Sequence, residues 1–464
     1  MNKKLRILAR AGLLVMAFLL QVSAQDRYLV RAPGPEIGNI AARHNLTILR
    51  SFEGSARNLH LVTAPAGADV QRTMQGLQAD ASVQGVEPDC SISLPEAAPG
   101  APLRQMGAPD PAPVWDHMLV PYYGTPAWDA YVNQPAALVI NLAQAHALAT
   151  GSGTVAVLDT GVDFSQPVLA NSLVAGYDFT RNIAGGSETA DIDQSTDSIL
   201  DQSTDSILDQ LAALILNQST TAILDQSTDS ILDQSTDSIL DQGPSPLPPA
   251  FGHGTMVAGL VHLVAPTAMI MPVKVFTATG SSTLSNIVGG IYWAVDHGAN
   301  VISMSFSATQ SSYELQYAIN YANSKGVICV AAAGNSGEQI MVYPAGYHSS
   351  VMGVASTNNQ DIRSTFSNYG NNLVSVAAPG EGVVTLYPGN NYAEGWGTSF
   401  SAPLVAGGAA LLVQLGGVGG NLVNEAQVAQ AISQANPIGQ GLGAGELDLF
   451  QACSYESSPA GGGR

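Results

Sequence analysis

Three separated segments carry side chains able to perform nucleophilic chemistry together: VAVLDTGVD with Asp159, GHGTMVAGL with His253 and GTSFSAPLVAG with Ser399. A serine hydroxyl is a weak nucleophile near neutral pH and needs an imidazole to take its proton. The imidazole in turn needs a carboxylate that fixes its tautomer and stabilises its cation. A fourth segment, VICVAAAGN, ends on Asn335, whose side-chain amide can donate to an oxyanion. One such donor lowers a barrier by about 3 kcal/mol. Ser401 is the rival nucleophile, but two residues further along a helix it faces nearly the opposite side. Ser399 is preferred.

These groups need rigid ends to sit on. From about Asn141, apolar runs alternate with helical patterns, the signature of a parallel sheet. Val155–Leu158, Val301–Phe306, Val327–Ala333 and Val351–Ala355 read as buried strands. Thr283–Asp296, closed by Gly298, and Tyr313–Ser324, closed by Gly326, read as helices. Asp159 and Asn335 then fall at C-terminal strand ends, where open α/β sheets collect reactive groups. His253 and Ser399 stand at helix starts. Free N–H groups and the positive dipole end beneath Ser399 suit a developing oxyanion. Pro403 is expected in the first turn of that helix, where its missing donor has no intrahelical use.

The N-terminal part is organised differently. Lys3, Lys4, Arg6 and Arg10 precede a short apolar run, Ala11–Leu20, and Val22-Ser23-Ala24 offers small residues for cleavage before Gln25. This is a secretory signal pattern over 1–24, with an uncleaved anchor as the competing reading. No later stretch reads as a membrane helix. Residues 25–95 read as a small α+β unit, with strands at Tyr28–Val30, Leu59–Val62 and Val83–Val86 and helices at Glu36–His44 and Ala68–Gln78. A Pro-rich linker and extension follows over 96–140, expected to be extended and exposed to about Pro135.

Residues 195–242 interrupt the α/β pattern with six octads in register, four of them STDSILDQ. Two readings stand: a turn-containing solenoid that turns every Ile-Leu pair inward, or a tandem duplication forming a solvated insert. Their nine aspartates allow weak Ca²⁺ binding, but no complete ligand loop appears, so a structural calcium ion is possible and unassigned. Residues 96–464 hold six Lys or Arg against 29 Asp or Glu, which disfavours nucleic acid and anionic membranes as partners. Cys90, Cys329 and Cys453 make no disulfide framework; Cys329 reads as a small core residue, and a Cys329–Cys453 bridge stays open. His262, His297 and His348 lack paired ligand spacing, so no metal residues are assigned.

The chain order Asp, His, Ser with these flanks resembles the subtilase family over about Asn141–Leu415, octads excepted. VAPTAMIMPVKV, IYWAVDHGANVISMS, YPA, FSNYG and VAAPG are further matching segments. The resemblance implies an α/β, subtilisin-like catalytic domain over 141–455, with a parallel sheet, helices on both faces and an insertion at 184–248. Residues 25–95 resemble the family's inhibitory prodomain, a small α+β ferredoxin-like unit, and 456–464 would be a tail. It also implies a secreted, monomeric serine endopeptidase that needs no cofactor for its chemistry. Its partners would be protein or peptide substrates and its own prodomain. Substrate would add as a strand between Gly280-Ser281-Ser282 and Ser305-Phe306-Ser307, with Ala332, Ala333 and Gly334 walling an apolar pocket. Ser307 stands where the family has glycine, and Met256 where a second histidine is common. A binding protein that keeps the fold only as a scaffold is the competing class, and an intact Asp, His, Ser and Asn set argues against it.

Overall fold

The computed structural model describes residues 26–94, 118–192, 248–417 and 424–457. The expected signal segment, the octads and most of the linker's N-terminal half lie outside them. The chain divides into two compact units, Met1–Cys90 and Ser91–Arg464.

The first unit runs β1 (Arg27–Arg31), α1 (Ile37–His44), β2 (Thr47–Ser51), β3 (Leu59–Thr63), α2 (Val70–Ala79), β4 (Gly85–Pro88). Its antiparallel sheet has the order β2-β3-β1-β4. Tyr28, Val30 and Val62 alternate along their strands toward Ile37, Ile40 and Leu77 of the helices, forming a core of this unit's own. Asn45, in the left-handed region at φ 53°, ends α1. Asp69 begins α2 by accepting the Arg72 N–H at 3.0 Å. The sequence did not single out β2, because Ile48 and Leu49 are adjacent and exposed on it rather than alternating.

In the second unit the main elements are β5 (Ser91–Ser93), β6 (Thr154–Asp159), β7 (Tyr177–Asp178), β8 (Ile183–Ala184), α3 (His253–Val264), β9 (Met269–Lys274) and β10 (Ser281–Thr283). They continue with α4 (Leu284–Asp296), β11 (Val301–Met304), α5 (Tyr313–Ser324), β12 (Ile328–Ala332), β13 (Met352–Thr357), β14 (Val376–Pro379) and α6 (Thr398–Gly417). The large sheet has the order β8-β7-β9-β6-β11-β12-β13-β14, parallel except between β8 and β7.

Helices cover both faces. Val155 and Val157 of β6 enter a core with Val257 and Val261 of α3 and Leu404 and Val405 of α6. Leu158 points the other way, toward Gly290 of α4. The two helices on the first face touch closely: a Cβ added at Gly407 would stand 2.6 Å from the Cβ of Val264.

Two expectations need correction. Helix α6 is long and apolar enough to cross a membrane, contrary to the reading that no later stretch is. Yet 78% of its apolar window is buried in the protein, so its hydrophobicity serves the core. The stretch toward Pro135 was expected to be extended and exposed, but Leu119–Tyr122 and Thr125–Trp128 form a hairpin. Tyr122 and Tyr131 are buried and donate to carbonyls of α3, at Leu263 and Gly259, each at 2.7 Å. Trp128 stacks on Tyr392 at 4.3 Å. Buried aromatic area outweighs the local proline content here.

Candidate active site

Asp159 is the last residue of β6 and His253 the first of α3. The His253 Nδ1 lies 2.7 Å from Asp159 Oδ1, with both residues buried. A carboxylate at that nitrogen holds the tautomer in which Nδ1 carries the proton and Nε2 is the base. The Thr160 N–H donates to the same Asp159 oxygen at 2.7 Å and fixes the carboxylate. The close approach of α3 to the turn after β6 depends on Gly254, because a Cβ there would stand 2.0 Å from the Gly161 carbonyl oxygen. The motif GHGT is thus a packing requirement as well as a carrier of histidine.

Ser399 is the second residue of α6. The neighbouring Phe400 ring lies 5.5 Å from the His253 ring, so imidazole and helix start are brought together. Pro403 is the sixth residue of α6, not part of its first turn as expected. An ordinary residue there would donate its N–H to the Ser399 carbonyl, and proline cannot. The Ser305 hydroxyl donates to that carbonyl instead, at 2.9 Å, and the Ser399 hydroxyl donates to the Ser305 carbonyl at 3.1 Å. Ser401 faces elsewhere, donating to the Pro379 carbonyl at 3.2 Å.

Asn335 is tied to the same helix start. Its Oδ1 accepts from the Thr398 N–H at 2.9 Å and the Thr398 hydroxyl at 2.8 Å. The oxygen end of the amide is committed to the residue before Ser399, which makes the nitrogen the donor end. Gly334, at φ 92°, donates its N–H to the Thr398 hydroxyl at 3.0 Å. Asn368, within FSNYG, donates from Nδ2 to the Ala333 carbonyl at 2.9 Å and from its N–H to the Gly334 carbonyl at 2.9 Å. Thr398 and Asn368 are organising residues that spacing alone did not single out.

The expected substrate segments are placed as follows. Ser281 and Ser282 lie on β10, which pairs antiparallel with β5, Ser281 opposite Ser93 and Ser282 opposite Ile92. The Leu94 N–H donates to the Gly280 carbonyl at 2.9 Å, and Ile92 and Leu94 are buried. The Ser282 hydroxyl turns inward to the Val275 carbonyl at 2.6 Å. Ser305 belongs to the Ser399 contact just described. Phe306 packs against Phe276 at 5.3 Å, Ser307 is partly exposed, and Ala332 and Ala333 are fully buried.

The remaining candidates sit in packing roles. His262 is buried beside Tyr122, and burial lowers its pKa to about 4. His297 stacks on Trp293 at 3.9 Å. Cys329 and Cys453 are both buried and free, and burial pushes the Cys453 thiol up to about 12.

Residues 151–443 match the subtilase family of S8 peptidases. Thermitase of Thermoactinomyces vulgaris is 33% identical over 327 residues, 68% of this chain and 94% of thermitase. Subtilisin Savinase of Lederbergia lenta is 42% identical over 172 residues, 35% of this chain and 63% of Savinase. Among solved structures, fervidolysin from Fervidobacterium pennivorans shares the fold with a TM-score of 0.64 at 22% identity, over 92% of this chain and 61% of that one. The chain belongs to the subtilase family and is a subtilisin-like serine endopeptidase.

Proposed function

We propose that this subtilase is a secreted endopeptidase made as a precursor that its own N-terminal unit inhibits. Ser399 Oγ attacks the carbonyl carbon of the scissile bond while His253 Nε2 takes the hydroxyl proton. Asp159 stabilises the imidazolium that forms. Asn335 Nδ2 and the start of α6 donate to the tetrahedral oxyanion. Collapse breaks the C–N bond, with His253 returning the proton to the leaving amine and the acyl group staying on Ser399. Water then attacks the ester with His253 again as base, releasing the acid and restoring the hydroxyl.

The observation that carries this reading is the 2.7 Å contact between His253 and Asp159, set beside the start of the Ser399 helix. The antiparallel seating of Ser91–Ser93 on β10 supports inhibition in the manner of a bound peptide, since added strands use the same main-chain bonds. Buried Ile92 and Leu94 support a preference for apolar side chains before the cut.

The test is to express the precursor and its Ser399→Ala variant and to sequence the N-termini each yields. New N-termini and labelling by a serine-directed acylating probe should appear in the wild type alone. Undiminished hydrolysis by the purified variant would sink the assignment. Wild-type activity should also fall on acidification, as the imidazole takes up a proton and ceases to be a base.

A further inference from the structure

The helix that His253 opens lacks a capping side chain of its own. Its N-cap is Gly252, so the backbone donors of its first turn must be satisfied from elsewhere. The His253 N–H reaches the Ala250 carbonyl at 3.2 Å, and the Gly254 N–H reaches the Thr160 hydroxyl at 2.9 Å. The rest converge on one carboxylate. Glu188 accepts the Gly252 N–H on Oε1 at 3.0 Å, and the Thr255 N–H and hydroxyl on Oε2, each at 3.2 Å. The Thr255 hydroxyl already accepts the Asp163 N–H at 2.9 Å, so its proton points to Glu188.

Glu188 is fully buried, and nothing about it resembles a solvated surface acid. It opens the short turn Glu188–Asp191, ahead of the octads in sequence, whereas the donors it serves follow them. Lys274, also fully buried, pairs with Asp191 Oδ2 at 2.9 Å and donates to the carbonyls of Thr160 and Phe276. An anion at a helix N-terminus, with a cation buried nearby, is a favourable arrangement in a medium of low polarity.

We infer that Glu188 is a positioning residue for His253: its carboxylate caps the His253 helix from across the insert and sets the electrostatic surroundings in which the imidazole takes its proton. This role rests on the endopeptidase reading above. The charged and titratable groups around it are Lys274 on β9, Asp159 on β6, Tyr387 on the strand Val383–Tyr387, His253 on α3 itself and Asp191 on its own turn. Burial raises the Glu188 pKa to about 7, against the lowering influence of Lys274 and the Gly252 and Thr160 bonds; Asp159 raises it further. The geometry stands without that value, which adds that Glu188 is ionised above neutrality.

The test compares Glu188→Gln and Glu188→Asp with wild type, using mature enzyme from the full chain and a short peptide substrate. Glu188→Gln removes the charge at constant shape. It should lower kcat about tenfold with KM little changed at about pH 8, where Glu188 is ionised. It should also move the acid limb of kcat/KM down by about half a pH unit, since the variant limb no longer includes loss of the Glu188 charge near pH 7 and its imidazolium lacks a nearby anion. Glu188→Asp keeps the charge at shorter reach. It should leave the limb in place and lower kcat about threefold. A limb unmoved in Glu188→Gln would reduce Glu188 to a structural role and overturn the inference. If Glu188→Gln does not fold, Glu188→Asp decides alone, and wild-type kcat there overturns it. Absence of wild-type turnover would remove the endopeptidase reading together with this one, whereas an active wild type with unaffected variants removes this one only.

Discussion

Pro403 deletes the backbone donor that would bind the Ser399 carbonyl, and a hydroxyl from the end of another strand takes its place. A buried carbonyl left unpaired costs about 1–3 kcal/mol, so Ser305 is tied to Ser399 by more than proximity. Ser305→Ala should therefore lower kcat about tenfold while leaving KM nearly unchanged, as steady-state kinetics on a short peptide would show. A pure rise in KM would place Ser305 in substrate binding alone. Asp159, His253, Ser399 and Asn335 stand out in the sequence because each residue type, at a strand end or helix start, has a chemical reason to be there, and the fold brings His253 to Asp159 and Asn335 to Thr398. Glu188 was not legible. It contacts backbone 64 residues downstream, and a lone Glu before an acidic repeat reads as one more surface charge.

Helices α3 and α6 share a side-chain core and also make a tight contact at Gly407, beside Val264. Gly407→Val should destabilise the fold by about 1–3 kcal/mol, because a tight contact has no room for the added methyls. Thermal denaturation in the Ser399→Ala background, where self-digestion is removed, would show it. The pairing of β5 with β10 carries a separate expectation. Ile92→Asp places a charge in a buried strand contact, and should shorten the lag before precursor activity appears; an unchanged lag would detach β5 from inhibition. Parallel strands such as β6 and β12 were legible as unbroken apolar runs. Strand β9 was harder, since Pro272 sits in the sheet interior, where proline is ordinarily excluded. It is tolerated because the neighbouring chain bonds Ile270 through Val174 and pairs again only at Val273, leaving the register at Pro272 open on that side. The hairpin at 119–128 was hidden because its stability comes from contacts with α3, more than a hundred residues away.

Among the described residues, buried acids and buried histidines such as His262 pull the pH response of stability in opposite directions, the acids over the wider window. Burial raises Glu188 to about 7 and Glu425 and Glu446 each to about 8. An unfolded glutamate releases its proton near 4.5, so between about pH 4.5 and 8 the folded state holds more protons than the unfolded one. Stability then falls as pH rises through that window. Repulsion within a chain of formal charge −20 acts in the same direction as remaining acids ionise. The melting temperature of the Ser399→Ala protein should be higher at about pH 5.5 than at about pH 8.5. The reverse order would mean that these carboxylates are not held protonated by the fold.

The Glu188 clamp has a genetic consequence. It joins the residues on either side of the octads, so the His253 helix is anchored to the near bank of the insert as well as the far one. Lengthening a closed loop costs only about 0.6 kcal/mol per doubling. Replication slippage that adds or drops whole repeats would therefore leave the chemistry intact, and selection on copy number can act on the insert alone. Excision of one octad, residues 203–210, should leave kcat on a short peptide unchanged.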